Sequence, residues 1–183
     1  ILDNKNKLNG ICGTVSNLIN VKNDFELSIE IALGETANYL VVDTKLNALK
    51  ILKWIKENNI ESQVCIIPLD IVPNIKLKND NCSNSLSALE VTKVEKRFYP
   101  IFKLLIGNVR ILIKKIKLKK ILSMENKFDL VTKDGQYYSK NKIIKSSRKH
   151  REVLYVGREK KISSINKKIS SINKKIIFLK KEI

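Results

Sequence analysis

Histidine occurs once in these 183 residues, methionine and tryptophan once each, and cysteine three times. A single imidazole, His150, set in a basic run, supplies neither a metal cage nor the base of a catalytic triad, and it reads as a solvated residue. Cys12, Cys65 and Cys82 stand far apart with no C-x-x-C pair. That spacing argues against a zinc site and a disulfide framework, and it suits a reducing, cytosolic setting. There is no G-x-x-x-x-G-K-[ST] phosphate loop, no G-x-S-x-G and no H-E-x-x-H. No apolar run approaches the roughly 20 residues that cross a bilayer, and no signal peptide is visible. The chain begins at Ile1 rather than methionine, and so reads as a piece of a longer protein. The expectation is a non-enzyme with no cofactor, no metal, no membrane and no small-molecule substrate.

Acidic residues are also scarce. Eighteen Asp and Glu face 36 Lys and Arg, a net charge of +18, which favours a polyanionic partner. The abundance of Lys, Asn and Ile is also what an AT-rich genome produces, so the charge alone leaves nucleic-acid contact open. With 43% hydrophobic residues the chain can bury a core, and its length suits one ordinary domain or two small ones.

Residues 8–43 organise the rest. Gly10 and Gly13 precede an apolar run of Val15, Leu18, Ile19 and Val21. Phe25, Ile29, Ala32 and Leu33 follow at spacings of three and four, one face of a helix, with Asp24 placed to cap its start. Gly34 ends it where a left-handed residue costs little, and Leu40, Val41 and Val42 make a buried strand. Glu26 and Glu30 share a helical face and read as solvated carboxylates. Thr44 can cap a second helix reaching about Asn58, with Leu46, Leu49, Ile51, Leu52, Trp54 and Ile55 as its apolar set. Val64, Cys65, Ile66 and Ile67 form a strand stopped by Pro68.

The second half repeats this grammar. Val91, Val94, Phe98, Phe102 and Leu105 recur at helical spacing, Gly107 follows, and Val109, Ile111, Leu112 and Ile113 form a strand. Gly34 and Gly107 are equivalent punctuation, 73 residues apart. Pro100 either kinks that helix or marks its start. Residues 114–120 read as a basic helix and 128–132 as a strand. Asp134-Gly135 signals a type I′ hairpin, Tyr137 and Tyr138 begin the returning strand, and residues 140–151 read as irregular and basic. From Gly157 a heptad appears: Ile162, Ile169 and Ile176 lie seven apart, and Ile165, Ile172 and Leu179 fill the intermediate positions, the seam of a coiled coil.

The order G-x-x-G (Gly10, Gly13), Leu18-Ile19, E-x-A-L-G (Glu30, Ala32, Leu33, Gly34), Val41-Val42-Asp43, Pro68-Leu69-Asp70 and Gly157-Arg158 resembles the hinge domain of SMC (structural maintenance of chromosomes) proteins of the bacterial chromosome-partition type. The resemblance implies an α/β (α+β) fold of two small pseudo-repeated subdomains with flanking coiled-coil stubs. Residues 1–9 would end the incoming coiled coil, 10–75 form the first subdomain, 76–90 a connector, 91–156 the second, and 157–183 the start of the returning coiled coil. It also implies a two-fold dimer with a second SMC hinge, contact with DNA on the nucleoid, and ATPase heads elsewhere in the full protein. Gly34, Gly107, Lys145, Ser146 and Ser147 are its candidate interface residues. One departure stands out: where such hinges carry a G-G-S type motif, this chain has Ile144-Lys145-Ser146-Ser147.

Two clusters are candidates for phosphate contact: Lys114, Lys115, Lys117, Lys119 and Lys120, and Lys140, Lys142, Lys145, Arg148, Lys149 and Arg151. Tyr137, Tyr138 and Tyr155 are either stacking surfaces for bases or core residues. A stand-alone basic nucleic-acid-binding module with a helical tail is the rival reading. A fragment of an α/β enzyme is a third, weakened by the missing chemistry.

Overall fold

The computed structural model describes residues 8–77, 84–114, 119, 121, 127–146 and 156–179. The first half carries β1 (Ile11–Thr14), β2 (Ile19–Val21), α1 (Glu26–Leu33), β3 (Leu40–Val42), α2 (Lys45–Glu57) and β4 (Ile66–Pro68). The second carries β5 (Ser85–Ser87), β6 (Thr92–Val94), α3 (Tyr99–Ile106), β7 (Val109–Leu112), β8 (Asp129–Thr132), β9 (Gln136–Tyr138) and β10 (Ile144–Ser146), and α4 (Arg158–Leu179) follows.

The repeat read from two glycines is a repeat of topology. β1 runs antiparallel to β3, and β3 parallel to β4. In the same way β5 runs antiparallel to β7, and β7 parallel to β8. β9 and β10 then extend the second sheet to five strands. Between the sheets β2 pairs antiparallel with β6, and Asn20 lies opposite Lys93. Positions 20 and 93 have the same offset as Gly34 and Gly107, and as the first residues of α1 and α3. Each is thus the other's counterpart, and a local two-fold axis passes through the pair.

Strand alternation sorts the side chains into three cores. Val41, Val109, Ile111 and Val131 face a central core with Ile29, Leu33, Phe98, Ile101, Phe102 and Ile106. Leu40 and Val42 face the other way, toward Ala48 and Ile51 of α2. Leu112, Leu130 and Tyr138 do the same in the second half, toward Ile121. The central core draws on both halves.

Several expectations are corrected. Val91 and Val94 are not helical: Ala88–Val91 is a 3-10 turn closed by a capping box between Ser87 and Glu90, and Val94 ends β6. Pro100 sits in the first turn of α3 and so marks its start, where a missing N–H costs nothing. Asp24 caps nothing; it lies in a 3-10 turn, Asn23–Phe25, that feeds α1. β5 falls inside the stretch read as a connector, and the second half begins with it. Pro68 ends β4 as a member, on the sheet's outer strand where a missing N–H is tolerated. At Asp134-Gly135 only the glycine is left-handed, with φ 88°, and its N–H donates to Thr132 O at 3.1 Å. The turn is therefore not type I′, which needs positive φ at both residues. Gly34 has φ 54° and ψ −128°, a combination glycine reaches freely. Gly107 is an ordinary right-handed residue, and is glycine because a Cβ would lie 2.3 Å from Lys103 O.

The P-L-D motif has a concrete task. The Asp70 carboxylate accepts the Lys45 N–H at 2.9 and 3.1 Å, and Thr44 Oγ1 accepts the Asn47 N–H at 3.3 Å, so α2 starts doubly capped. The expected outcome for Asp70→Ala is a loss of about 1 kcal/mol, the typical value of a cap, measured by urea denaturation.

Candidate functional site

α1 is short, and none of its residues is exposed: Ser28, Ile29, Glu30 and Leu33 are buried and the others partly so. A one-sided periodicity therefore understates its burial. Helix α1 belongs to the first half but is bonded to the second. Ser28 Oγ donates to Thr132 O at 3.2 Å, at the end of β8. Glu30, only 1% exposed, accepts the Val156 N–H on Oε2 at 2.8 Å. The expectation of a solvated carboxylate at Glu30 is thus overturned. A buried carboxylate is costly unless hydrogen-bonded, and this one is.

The partner of Glu30 is the root of the C-terminal helix. Val156 is itself buried in the central core. Gly157 follows with φ 80°, and a Cβ there would stand 2.9 Å from Glu26 Oε1. That φ favours glycine, and any larger residue would also have to push the Glu26 carboxylate aside. The E-x-A-L-G and G-R motifs, far apart in sequence, are thus two sides of one joint. From it α4 runs 22 residues, about 33 Å at 1.5 Å per residue. Ile162, Ile165, Ile169, Ile172 and Ile176 lie between 44% and 56% exposed along it, and Leu179 is its last residue. The heptad segment is a helix as expected, and its seam is uncovered.

The second feature is a sheet edge. β10 ends the five-stranded sheet, all three of its residues are exposed, and Ile143 and Ile144 are each half exposed. Residues 144–146 are therefore a strand rather than irregular, with Lys145 opposite Tyr137 and its ammonium 5.6 Å from that ring. Asp129 fixes the β9–β10 turn, accepting Ser139 Oγ at 3.2 Å and the Lys140 N–H at 2.8 Å. Tyr138 is core, and its hydroxyl donates to the Gln136 side chain. Tyr137 packs against the central core, and burial, with Asp129 beside it, pushes its hydroxyl above its usual value. Neither tyrosine is free to stack on a base.

Lys140, Lys142 and Lys145 are exposed and gathered on that one hairpin, while Lys114 and Lys119 are exposed elsewhere. Lys115, Lys117, Lys120, Ser147, Arg148, Lys149, Arg151 and Tyr155 lie outside the described residues. Gly34 and Gly107 sit at the ends of α1 and α3, on different elements from Lys145 and Ser146 of β10. Sequence reasoning missed Asp70 as a cap, Ser28 and Val156; a buried Ser and Glu within an otherwise apolar helix were the available signal.

A groove of about 680 Å³ is lined by Thr14, Tyr39, Ile60 and Cys65 among others. The Cys65 thiol, hydrogen-bonded to the Tyr39 side chain, raises the Tyr39 hydroxyl above its usual value. Among the described residues no group of three His, Cys, Asp or Glu side chains could hold a metal, and no helix is long and apolar enough to cross a membrane.

Comparison with known proteins bears on this arrangement. Residues 8–112 match the family model of the flexible hinge domain of SMC proteins. The chromosome partition protein Smc of Pyrococcus furiosus is 30% identical over 141 residues, 73% of this chain and 11% of that protein. Its Bacillus subtilis counterpart is 30% identical over 112 residues, 60% of this chain and 9% of that protein. The chain thus spans about a tenth of the length of the curated relatives it matches. The fold is similar to an asymmetric dimer of the Geobacillus stearothermophilus SMC hinge domain, with TM-score 0.74 and 23% identity over 98% of this chain and 75% of that one. It is also similar to the Pyrococcus furiosus SMC hinge domain, with TM-score 0.67 and 25% identity over 81% and 79%.

Glu30→Ala is expected to cost about 1–3 kcal/mol, because it strands the buried Val156 N–H, while Glu30→Gln, which keeps an acceptor, costs less. Urea denaturation measures both, and amide exchange at Val156 speeds up in the alanine variant first.

Proposed function

The chain belongs to the SMC hinge family, and from that premise we propose that it joins two SMC subunits by pairing with a second hinge. The observation that carries this is β10, an open strand edge with Ile143 and Ile144 exposed. Exposed edges of this kind are templates for another chain. The first half of one protomer meets the second half of its partner, and β10 adds to the partner's three-stranded sheet. Two such contacts, related by a two-fold axis, close a symmetric dimer. Lys145 takes the place of a family glycine, so its side chain, lying along Tyr137, must be accommodated at that contact.

The bare seam of α4 fits an arm whose partner helix precedes Leu8 in the full protein. ATPase heads at the far ends of the arms follow from the resemblance alone, as does a place on the nucleoid. DNA contact is the second part of the reading. Lys140, Lys142 and Lys145 present clustered cations on one hairpin, and phosphate neutralisation needs no more than that.

Ile144→Glu places a charge on an exposed side chain, so the fold is retained. The expected result in sedimentation velocity is a dimer for the parent chain at tens of micromolar and a monomer for the variant. A monomeric parent chain would overturn the pairing through β10 while leaving the family assignment in place.

DNA binding is expected to be weak and indifferent to sequence. With about four phosphates neutralised, log K falls with log salt at a slope of roughly −3 to −4. Reversing Lys145, Arg148 and Lys149 to Glu weakens every DNA sequence alike and flattens that slope. Fluorescence anisotropy across a salt series checks both, and binding that survives high salt contradicts the mechanism.

A further inference from the structure

Helix α2 turns out to divide its apolar residues differently from the expectation. Ala48 and Ile51 are buried, and Trp54 and Ile55 are half-buried against them. Leu46, Leu49 and Leu52 point away, 70%, 53% and 46% exposed. Spaced three apart, they form one inclined stripe along the outer face. Ile71, 57% exposed, follows Asp70, whose carboxylate holds the N–H of Lys45, so the chain passes the first turn of α2 at the head of the stripe. Single exposed leucines need no explanation; a contiguous stripe does.

Folding does not account for it. The helix is anchored by its inner face and doubly capped at its start. Leucine has nearly the helix propensity of the lysines it alternates with, so the stripe adds little to helix formation. Lys50, Lys53 and Lys56, spaced three apart, run beside it and Lys45 lies at its head, all exposed. The one acid on the helix, Glu57, pairs with Lys53 at 3.7 Å.

We infer that the outer face of α2 is a docking surface for an acidic amphipathic helix of a separate protein. Apolar side chains of that helix, at spacings of three and four, pack on Leu46, Leu49 and Leu52, while flanking Asp or Glu meet the lysine rim. Charge selects this occupant. A second copy of the chain brings +18, and an α4 arm studded with lysines, to a rim that is already positive. DNA satisfies the lysines but offers nothing to three leucines. The surface lies on a different element from β10 and goes beyond the pairing proposed above.

The test uses the whole chain and a fluorescein-labelled synthetic peptide, with Leu at i, i+3, i+4 and i+7 and Glu or Gln elsewhere. A scrambled peptide of the same composition is the control. Anisotropy should show saturable binding of the patterned peptide, and Trp54, the only tryptophan, reports on the same helix through its emission. Leu46→Ser with Leu49→Ser, and separately Lys50→Glu with Lys53→Glu, should each weaken binding tenfold or more without moving the unfolding midpoint. The monomeric Ile144→Glu variant should bind as the parent does, which separates this surface from dimerisation. Equal binding of the scrambled peptide, or indifference to the leucine substitutions, overturns the proposal. So does loss of the sedimentation dimer in the leucine variant, which assigns the stripe to a second copy. Stripe-dependent binding to phosphatidylglycerol vesicles with none to the peptide overturns it in favour of lipid.

Discussion

Neither half of this protein closes the central core without the other. Each three-strand unit is covered on one face, by α2 in the first half and by Ile121 in the second. The opposite faces, with Val41 on one and Val109, Ile111 and Val131 on the other, meet across α1 and α3 in a single buried cluster. Sheets this small do not bury enough apolar area to stand alone. The β2–β6 pair, with Asn20 against Lys93, ties the halves through backbone bonds on the local axis. The two halves are therefore one cooperative unit.

Placing α1 inside that unit has a consequence for its chemistry. A helix surrounded on all sides needs polar residues only where a specific partner waits, and each of its buried ones has such a partner. Ser28 reaches the end of β8, and Glu30 reaches the backbone at the root of α4. The direction in which the arm leaves is thereby referred to the core rather than to a surface loop. Gly157 permits the approach, and Val156 anchors it from within.

The outer surfaces contrast with this. β10, the α4 seam and the α2 stripe all leave apolar side chains half exposed. In each case the element itself is secured from its other side: β10 by β9 and the Asp129-held turn, α4 by its root, α2 by its caps and Ile51. Exposure on a well-held element is a property of the surface and not of a loose fold, which is why these are the places where partners are sought.

Much of this was legible in the chain. The heptad of isoleucines determined the α4 helix and its seam, because a strict period of seven has one geometric reading. Thr44 determined where α2 starts, and the run at Leu40, Val41 and Val42 determined a strand, because capping and burial are local matters. What remained illegible depended on neighbours distant in sequence. Val91 and Val94 sit at helical spacing yet form a turn and a strand, since β2 supplies the partner for β6. Glu30 looked solvated beside Glu26 until Val156, 126 residues further on, was brought to it. The leucines of α2 looked like core because periodicity reports amphipathic character and not which face a sheet will cover. Local pattern determined the elements; only the tertiary structure decided their burial, because burial is set by what the rest of the chain places opposite each face.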